Sequence, residues 1–260
     1  MLPILFPGTL FEVPTYFLIL LLAALGAIIS GIYRAKAYGL KAYRAVDIGF
    51  LGFVSGLIGG RLAHILIEAP AYYWEHPIRI FYFWQGGFVL YGGLILGFIG
   101  GCLAARLLKE PVIKWMDLAA VPILVGVGIG RIGCLAGGCC YGLPTDLFWG
   151  MIFTNPLSGA PLNQSLHPTQ ALEILFCGIA ALVLWFAFSK PPKTGGLAFV
   201  SATVAYSIFR FFVEFLRGDQ ERGVYGAFGI SSSQIISLVV IAVALVFLWT
   251  QIRQSRSSRA

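Results

Sequence analysis

Three arginines, Arg61, Arg131 and Arg210, lie inside stretches that are otherwise almost wholly apolar. A guanidinium at mid-membrane costs roughly 2.5 kcal/mol or more, so each must face a protein interior and find a partner there. A nearby carboxylate is one kind of partner, and Glu214, one helical turn after Arg210, is placed to be one. A bound anion is the other kind. The planar fork of donors suits a phosphate held by two parallel hydrogen bonds, and the three guanidiniums are expected to be short of carboxylates. From Arg210 to Asp219 the chain places Arg210, Glu214 and Arg217 at i, i+4 and i+7, a single helix face that is positive and internally braced.

A second concentration of chemistry is Gly130-Arg-Ile-Gly-Cys-Leu-Ala-Gly-Gly-Cys-Cys-Tyr-Gly-Leu-Pro-Thr145. It holds three of the five cysteines, Cys134, Cys139 and Cys140, whereas Cys102 and Cys177 stand alone in apolar runs and read as packing. The Cys-x4-Cys-Cys spacing is not a strong zinc pattern and has no second ligand pair nearby, so no metal is expected. A disulfide from Cys134 to Cys139 or Cys140, and a reactive thiol, both remain open. Further on, His167-Pro-Thr-Gln170 and Glu173 place polar groups at a helix start, read as the lining of a site rather than a simple cap.

The elements that position these residues follow from composition. Of 260 residues, 58% are hydrophobic and 11% charged, with a mean hydropathy of +0.86. A soluble domain carries about 25% charged residues. Soluble, disordered and disulfide-scaffold classes are excluded, and the chain reads as an all-α polytopic membrane protein, a single integral-membrane domain over 1–260. A membrane-spanning helix needs about 20 apolar residues. Seven stretches qualify, near 14–33, 46–67, 87–108, 115–137, 168–188, 195–216 and 230–249, with an outward-facing loop near 138–166. The first carries no basic segment or cleavage site before it and is expected to be retained. Gly52, Gly56 and Gly60, and Gly93, Gly97 and Gly101, are spaced for close helix approach. The segment from Gln85 to Gly93, with paired glycines around Tyr91, predicts unwound backbone against protein or a wet cavity.

Charge sets the expected threading. Arg34, Lys36, Lys41 and Arg44, then Arg106, Lys109 and Lys114, then Lys190 and Lys193, then Arg253, Arg256 and Arg259 all fall on one side. Only Arg79, Arg217 and Arg222 fall on the other. The asymmetry predicts an outer N-terminus and a cytoplasmic C-terminus. The net charge of +7 is thus a topology signal and a contact for anionic lipid, with no nucleic acid as partner.

In this order the motifs resemble the bacterial prolipoprotein diacylglyceryl transferases. The blocks are Gly60 to His64, Gly86 to Gly93, Gly130 to Gly133 with Tyr141-Gly142, His167 to Gln170, and Arg210 to Asp219. The resemblance implies an enzyme of the bacterial inner membrane. It would move diacylglyceryl from phosphatidylglycerol to the lipobox cysteine of prolipoprotein signal peptides, releasing glycerol phosphate without cofactor or metal. It implies phospholipid contact by Arg131, an essential role for Arg210, and supporting roles for Glu214 and Arg217. Tyr16 resembles the functional tyrosine of the first helix and Gly142 the closing glycine of the signature. Three positions depart from the family pattern: Tyr91 where a histidine is usual, Cys134 for asparagine and Cys139 for glutamate.

The expected catalytic residues are therefore Arg131, Arg210, Tyr91 and Cys139. Arg131, Arg61, Tyr16, Gly142, His167, Glu214 and Arg217 are expected to bind substrate. The reaction is a displacement at the glyceryl carbon, so the protein must hold the phosphate and help deprotonate the attacking thiol. Tyr91, or a thiolate at Cys139 favoured by arginine, is the expected base. The alternatives are a family paralogue doing thiol-dependent transfer or redox chemistry on another lipid or protein, and a non-enzymatic carrier of anionic lipid. No internal repeat supports a carrier.

Overall fold

The structure, a computed structural model, describes residues 3–5, 13–83, 87–219, 224–225 and 230–257. Its elements are β1 (Ile4–Leu5), β2 (Val13–Pro14), α1 (Thr15–Ala37), α2 (Arg44–Ala63), α3 (Pro70–Glu75), α4 (Leu90–Leu107) and α5 (Val112–Gly137). They continue with β3 (Met151–Ile152), β4 (Ser165–Leu166), α6 (Thr169–Ala187), α7 (Leu197–Val213), β5 (Val224–Tyr225), β6 (Ile230–Ser231) and α8 (Ser232–Ser257). A π-helical turn, His64–Glu68, prolongs α2, and a tighter turn, Glu214–Leu216, ends α7. The short strands form three antiparallel pairs, β1 with β2, β3 with β4 and β5 with β6, and isolated bridges join Gly142 to Arg217, Pro144 to Leu166 and Phe153 to Leu162.

Seven of the helices, all but α3, are long and apolar enough to cross a membrane, matching the seven predicted stretches. The distribution of side chains is inverted relative to a water-soluble protein. Leu21, Leu182, Phe186 and Val246 face outward, while Arg61, Asp117, Arg131, Glu173, Arg210 and Glu214 are buried. Lipid outside and polar partners inside account for both halves of that pattern.

Two boundaries differ from the sequence expectation for a visible reason. Helix α1 runs on to Ala37 because Arg34 is buried, donating to the carbonyl of Phe188 at 2.6 Å and standing over the Trp185 ring. Helix α4 starts at Leu90 rather than 87. Gly87 has a left-handed φ of 75°, and the Val89 amide donates sideways to the Gly60 carbonyl at 3.0 Å. The predicted unwinding thus covers 87–89, whereas Tyr91 to Gly93 are helical; Gln85 and Gly86 lie outside the described residues.

Helix α5 lies at the centre, against α1, α4, α6 and α7. Its Ala120, Val121 and Leu124 pack with Cys177 and Ala181 of α6 and Tyr206 of α7. Near its start, buried Asp117 accepts hydrogen bonds from the amides of Gly196, Ala198 and Phe199 at 2.7, 2.9 and 3.2 Å. A carboxylate from one helix therefore satisfies the orphan donors at the start of another. Helices α2 and α4 meet through the predicted glycines. A methyl group on Gly56 would stand 3.1 Å from the Gly93 carbonyl, and one on Gly97 3.1 Å from the Gly52 carbonyl. The spacing does what small residues do between membrane helices, letting backbones approach.

Candidate active site

At one end of the bundle, the end of α5 meets the starts of α6 and α8 and the end of α7. The last turns of α5 carry Arg131 and Cys134, and the helix stops at Gly138, which has the left-handed φ of 74° common at helix ends. The chain then turns so that Cys139 and Cys140 come back toward Cys134. Thr169 donates to the Cys140 carbonyl at 2.7 Å and Gln170 to the Cys139 carbonyl at 2.7 Å, so the start of α6 holds this turn in place. The three sulfur atoms all lie within 4.8 Å of one another, and all five cysteines are thiols.

Arg131 is anchored from α6: its Nε lies 2.8 Å from Glu173 Oε2. The other carboxylate oxygen accepts the Tyr206 hydroxyl at 2.6 Å. Tyr206 is one turn before Arg210 on α7 and within electrostatic range of it. Arg210 Nη2 lies 3.0 Å from Glu214 Oε2 and donates to Ser233 Oγ at 3.3 Å. Glu214 also approaches Arg217 Nη1 at 3.7 Å, and Arg217 pairs with Asp219, its Nε at 2.9 Å. Of the three guanidiniums expected to be short of carboxylates, Arg131 and Arg210 each have one, Arg131 because Glu173 reaches across from a different helix, whereas Arg61 is held by backbone carbonyls. Even so, Arg210 Nε is buried with no hydrogen-bond acceptor among the described residues.

Tyr91 reaches this network from the opposite side. Its hydroxyl is 2.8 Å from Ser237 Oγ and 3.4 Å from the Ser233 carbonyl, and Ser233 is the residue that Arg210 touches. Gly142 sits where three strands of chain cross. Its amide donates to the His167 carbonyl at 3.1 Å, and Leu143 donates to the Leu216 carbonyl at 2.8 Å. A methyl group on Gly142 would collide with His167 and stand 2.9 Å from the Leu216 oxygen. The crossing fixes Arg217 relative to the cysteine turn. Tyr16, at the start of α1, lies against Gly133, whose added methyl would be 3.2 Å from the tyrosine ring, and within electrostatic range of Arg131 and the three thiols.

Arg131 faces Cys134 and Cys140 rather than Cys139, donating from Nη1 at 3.7 and 3.5 Å. Hydrogen bonds from Cys134 and Cys139, helped by Arg131 and Arg217, hold the Cys140 thiol well below its usual range. The same sharing with Cys134 and Cys140 pushes the thiol of exposed Cys139 up. The contact with arginine expected to favour a thiolate at Cys139 is thus made to Cys134 and Cys140 instead. Burial opposes the charge of Arg217, but Cys140, Asp219 and Glu214 outweigh it and keep this guanidinium charged.

A family model described as prolipoprotein diacylglyceryl transferase matches residues 3–250. The chain belongs to the prolipoprotein diacylglyceryl transferase family. It is 34% identical over 244 residues to the phosphatidylglycerol–prolipoprotein diacylglyceryl transferase of Clostridium tetani, covering 94% of this chain and 95% of the relative. The protein of the same name from Bordetella avium is 35% identical over 245 residues, with 93% and 91% covered. That from Cupriavidus pinatubonensis is 34% identical over 223 residues, with 85% and 79% covered.

Within this family member, the remaining expected site residues take two positions. His167 is held by its backbone at the Gly142 crossing, and its Nδ1 accepts from the Trp149 indole at 3.3 Å. Arg61 is gripped by a separate collar, donating to the carbonyls of Arg79 (2.7 Å), Ile80 (3.2 Å) and Tyr82 (3.3 Å) and lying over the rings of Tyr73, Phe83 and Phe88. Phe83 and Phe88 also line an apolar groove of about 510 Å³ between α1 and α2, with Phe17, Leu21, Phe53 and Leu57. Glu173 as the anchor of Arg131, and Tyr206, Ser233 and Ser237, were not assigned from sequence. The signal for Tyr206 was present, since it precedes Arg210 by one helical turn.

Proposed function

We propose that this chain transfers the diacylglyceryl group of phosphatidylglycerol to the thiol of a prolipoprotein's lipobox cysteine and releases glycerol phosphate. The observation that carries this reading is the buried pair Arg131 and Arg210, with Glu173 and the Tyr206 hydroxyl bracing Arg131 and the Arg210 Nε–H lacking an acceptor among the described residues. A buried guanidinium donor left open suits an anion that arrives with the substrate. The name shared by the relatives favours transfer over the carrier and redox alternatives.

In this reading the substrate thiol gives its proton to water, and the thiolate sulfur forms a bond to the glyceryl carbon as that carbon's bond to phosphate oxygen breaks. The leaving oxygen takes the electron pair, and the negative charge stays on glycerol phosphate. Arg131 and Arg210 hold that phosphate in surroundings that exclude water, where fixed charges act most strongly. Glu173 orients Arg131. Glu214 orients Arg210 and, with Asp219, holds Arg217 beside the site. Tyr91 braces Arg210 through Ser233 and Ser237. Gly142 and His167 keep the signature turn against Arg217, and Tyr16 closes the site from α1. Arg61 orders the collar beside the α1–α2 groove, which suits the acyl chains. Cys139 is the exposed thiol of the cluster and the one that an incoming sulfur can approach.

The charge asymmetry supports a single domain in the bacterial inner membrane, with the N-terminus outside, the C-terminus cytoplasmic and the arginine–cysteine end facing outward. In this orientation a prolipoprotein signal peptide presents its lipobox cysteine to the site from the outer side. Expression in bacteria depleted of their own diacylglyceryl transferase tests the reading. Restored lipoprotein modification and growth are expected, and failure of a stably inserted protein to restore either argues against it.

A further inference from the structure

We infer that Cys134, Cys139 and Cys140 form a binding site for one thiophilic divalent metal ion, of the class of zinc, with a fourth position open to the substrate's thiol. The inference deepens the transferase reading, on which the use of the fourth position rests; occupancy of the site does not depend on it.

The geometry is close to what such an ion requires. Zinc–sulfur bonds of about 2.3 Å place tetrahedral sulfur ligands roughly 3.8 Å apart. Here the three sulfurs already stand within 4.8 Å of one another, so small side-chain rotations close the set. The sequence argued against a metal because the spacing offers no second ligand pair. Three protein ligands are nevertheless the pattern of sites that keep a fourth position for water or substrate. Cys134 is buried, Cys140 half-buried and Cys139 exposed, so the open position faces the approach of Cys139.

The surroundings of the sulfurs resemble those that hold metal ligands in place. Gln170 and Thr169 fix the backbone of Cys139 and Cys140, and Arg131 donates to the sulfurs of Cys134 and Cys140. Three thiolates around a divalent ion carry a net charge of −1, and Arg131, while paired with Glu173 through Nε, still directs Nη1 at two of those sulfurs. Cys140 itself sits at a φ of 60°, a left-handed conformation that non-glycine residues rarely adopt. That backbone turn brings its sulfur to the other two, the kind of local strain associated with functional sites.

The ion would do for the substrate thiol what an assigned base would otherwise do. On entering the fourth position the thiol gives its proton to water and stays as a metal-held thiolate. This sulfur then attacks the glyceryl carbon, the carbon–oxygen bond to phosphate breaks, and the thioether leaves the ion. The ion's oxidation state does not change.

Co²⁺, a spectroscopic stand-in for zinc, tests this on the full chain purified in detergent, reduced and stripped of metal. A thiolate-to-cobalt charge-transfer band that saturates at one ion per chain is expected. Cys134→Ser, Cys139→Ser and Cys140→Ser should each weaken binding by about 100-fold or more, while Cys102→Ser and Cys177→Ser leave it unchanged. An unchanged Tm of the metal-free serine variants shows that they are folded. A lipobox peptide should perturb the cobalt bands, and its Cys→Ser counterpart should not. No saturable band in the reduced protein, a band that survives loss of all three thiols, or quantitative disulfide in the protein as isolated overturns the site. A band indifferent to the peptide overturns the open fourth position. Absence of the band with intact Arg131-dependent phospholipid binding refutes the metal site alone and leaves the transferase reading standing.

Discussion

Replacing Glu173 by glutamine tests how the site is held together. Glu173 and Arg131 are almost fully buried, with 4% and 8% of their side-chain surfaces exposed, and their atoms lie 2.8 Å apart. Glutamine keeps the volume and a carbonyl oxygen for the Tyr206 hydroxyl, but removes the charge facing Arg131. Breaking a buried ion pair by neutralising one partner costs about 3–5 kcal/mol, because the other charge is left uncompensated. With the Tyr206 bond preserved, Glu173→Gln should fall at the lower end, about 3 kcal/mol. For a chain of this size each kcal/mol lowers Tm by about 2–4 °C, so a drop of about 6–12 °C is expected. The companion Arg131→Met should also destabilise, by leaving Glu173 charged and alone. The double variant, neutral at both positions, should recover part of the loss, with a coupling of about 2 kcal/mol. Thermal melts of the four proteins in one detergent complete the cycle. Additivity within about 0.5 kcal/mol would refute the claim that Glu173 is the anchor of Arg131.

Three further substitutions probe separate parts of the account. Asp117→Ala removes the acceptor for three amides at the start of α7 and should destabilise by about 2 kcal/mol or more, read as a lower Tm. Gly142→Ala forces the crossing at His167 and Leu216 apart; a stability loss of about 1–3 kcal/mol and a larger loss of transfer are expected, measured on the same preparation. Tyr91→Phe deletes a hydroxyl that braces Arg210 through serines, so kcat should fall by less than about 10-fold with KM for phosphatidylglycerol raised. Loss of one direct charge-stabilising donor costs about 10²–10³ in kcat, so a fall that large at Tyr91 makes it a catalytic residue instead.

The seven spans were legible in sequence because lipid selects long apolar helices directly from composition. The glycine triplets were legible for the same reason, since small residues at a fixed spacing have one use between helices. Pairing across helices was not. Arg210 and Glu214 are one turn apart and could be matched by counting, but Arg131 and Glu173 are 42 residues apart in the chain and meet only when α5 and α6 pack. The same holds for Tyr91, whose hydroxyl is claimed by serines on α8. The cysteine cluster was legible only in part. It left a disulfide and a reactive thiol open, whereas a helix end at Gly138 and the left-handed turn at Cys140 bring the three sulfurs together as free thiols. Arg61 looked equivalent to the other two arginines in sequence, yet its collar of backbone carbonyls gives it a structural setting that residue type alone does not reveal.

The central claim is that Arg131 and Arg210 hold the phosphate of phosphatidylglycerol while its diacylglyceryl group moves to a thiol. Mass spectrometry of a lipobox peptide incubated with the purified protein and phosphatidylglycerol measures that transfer directly. The account predicts a mass gain of one diacylglyceryl unit on the wild type, absent when the peptide cysteine is serine. It also predicts that Arg131→Ala and Arg210→Ala each reduce the rate by about 10² or more. Near-normal transfer by a folded Arg131→Ala protein would contradict it.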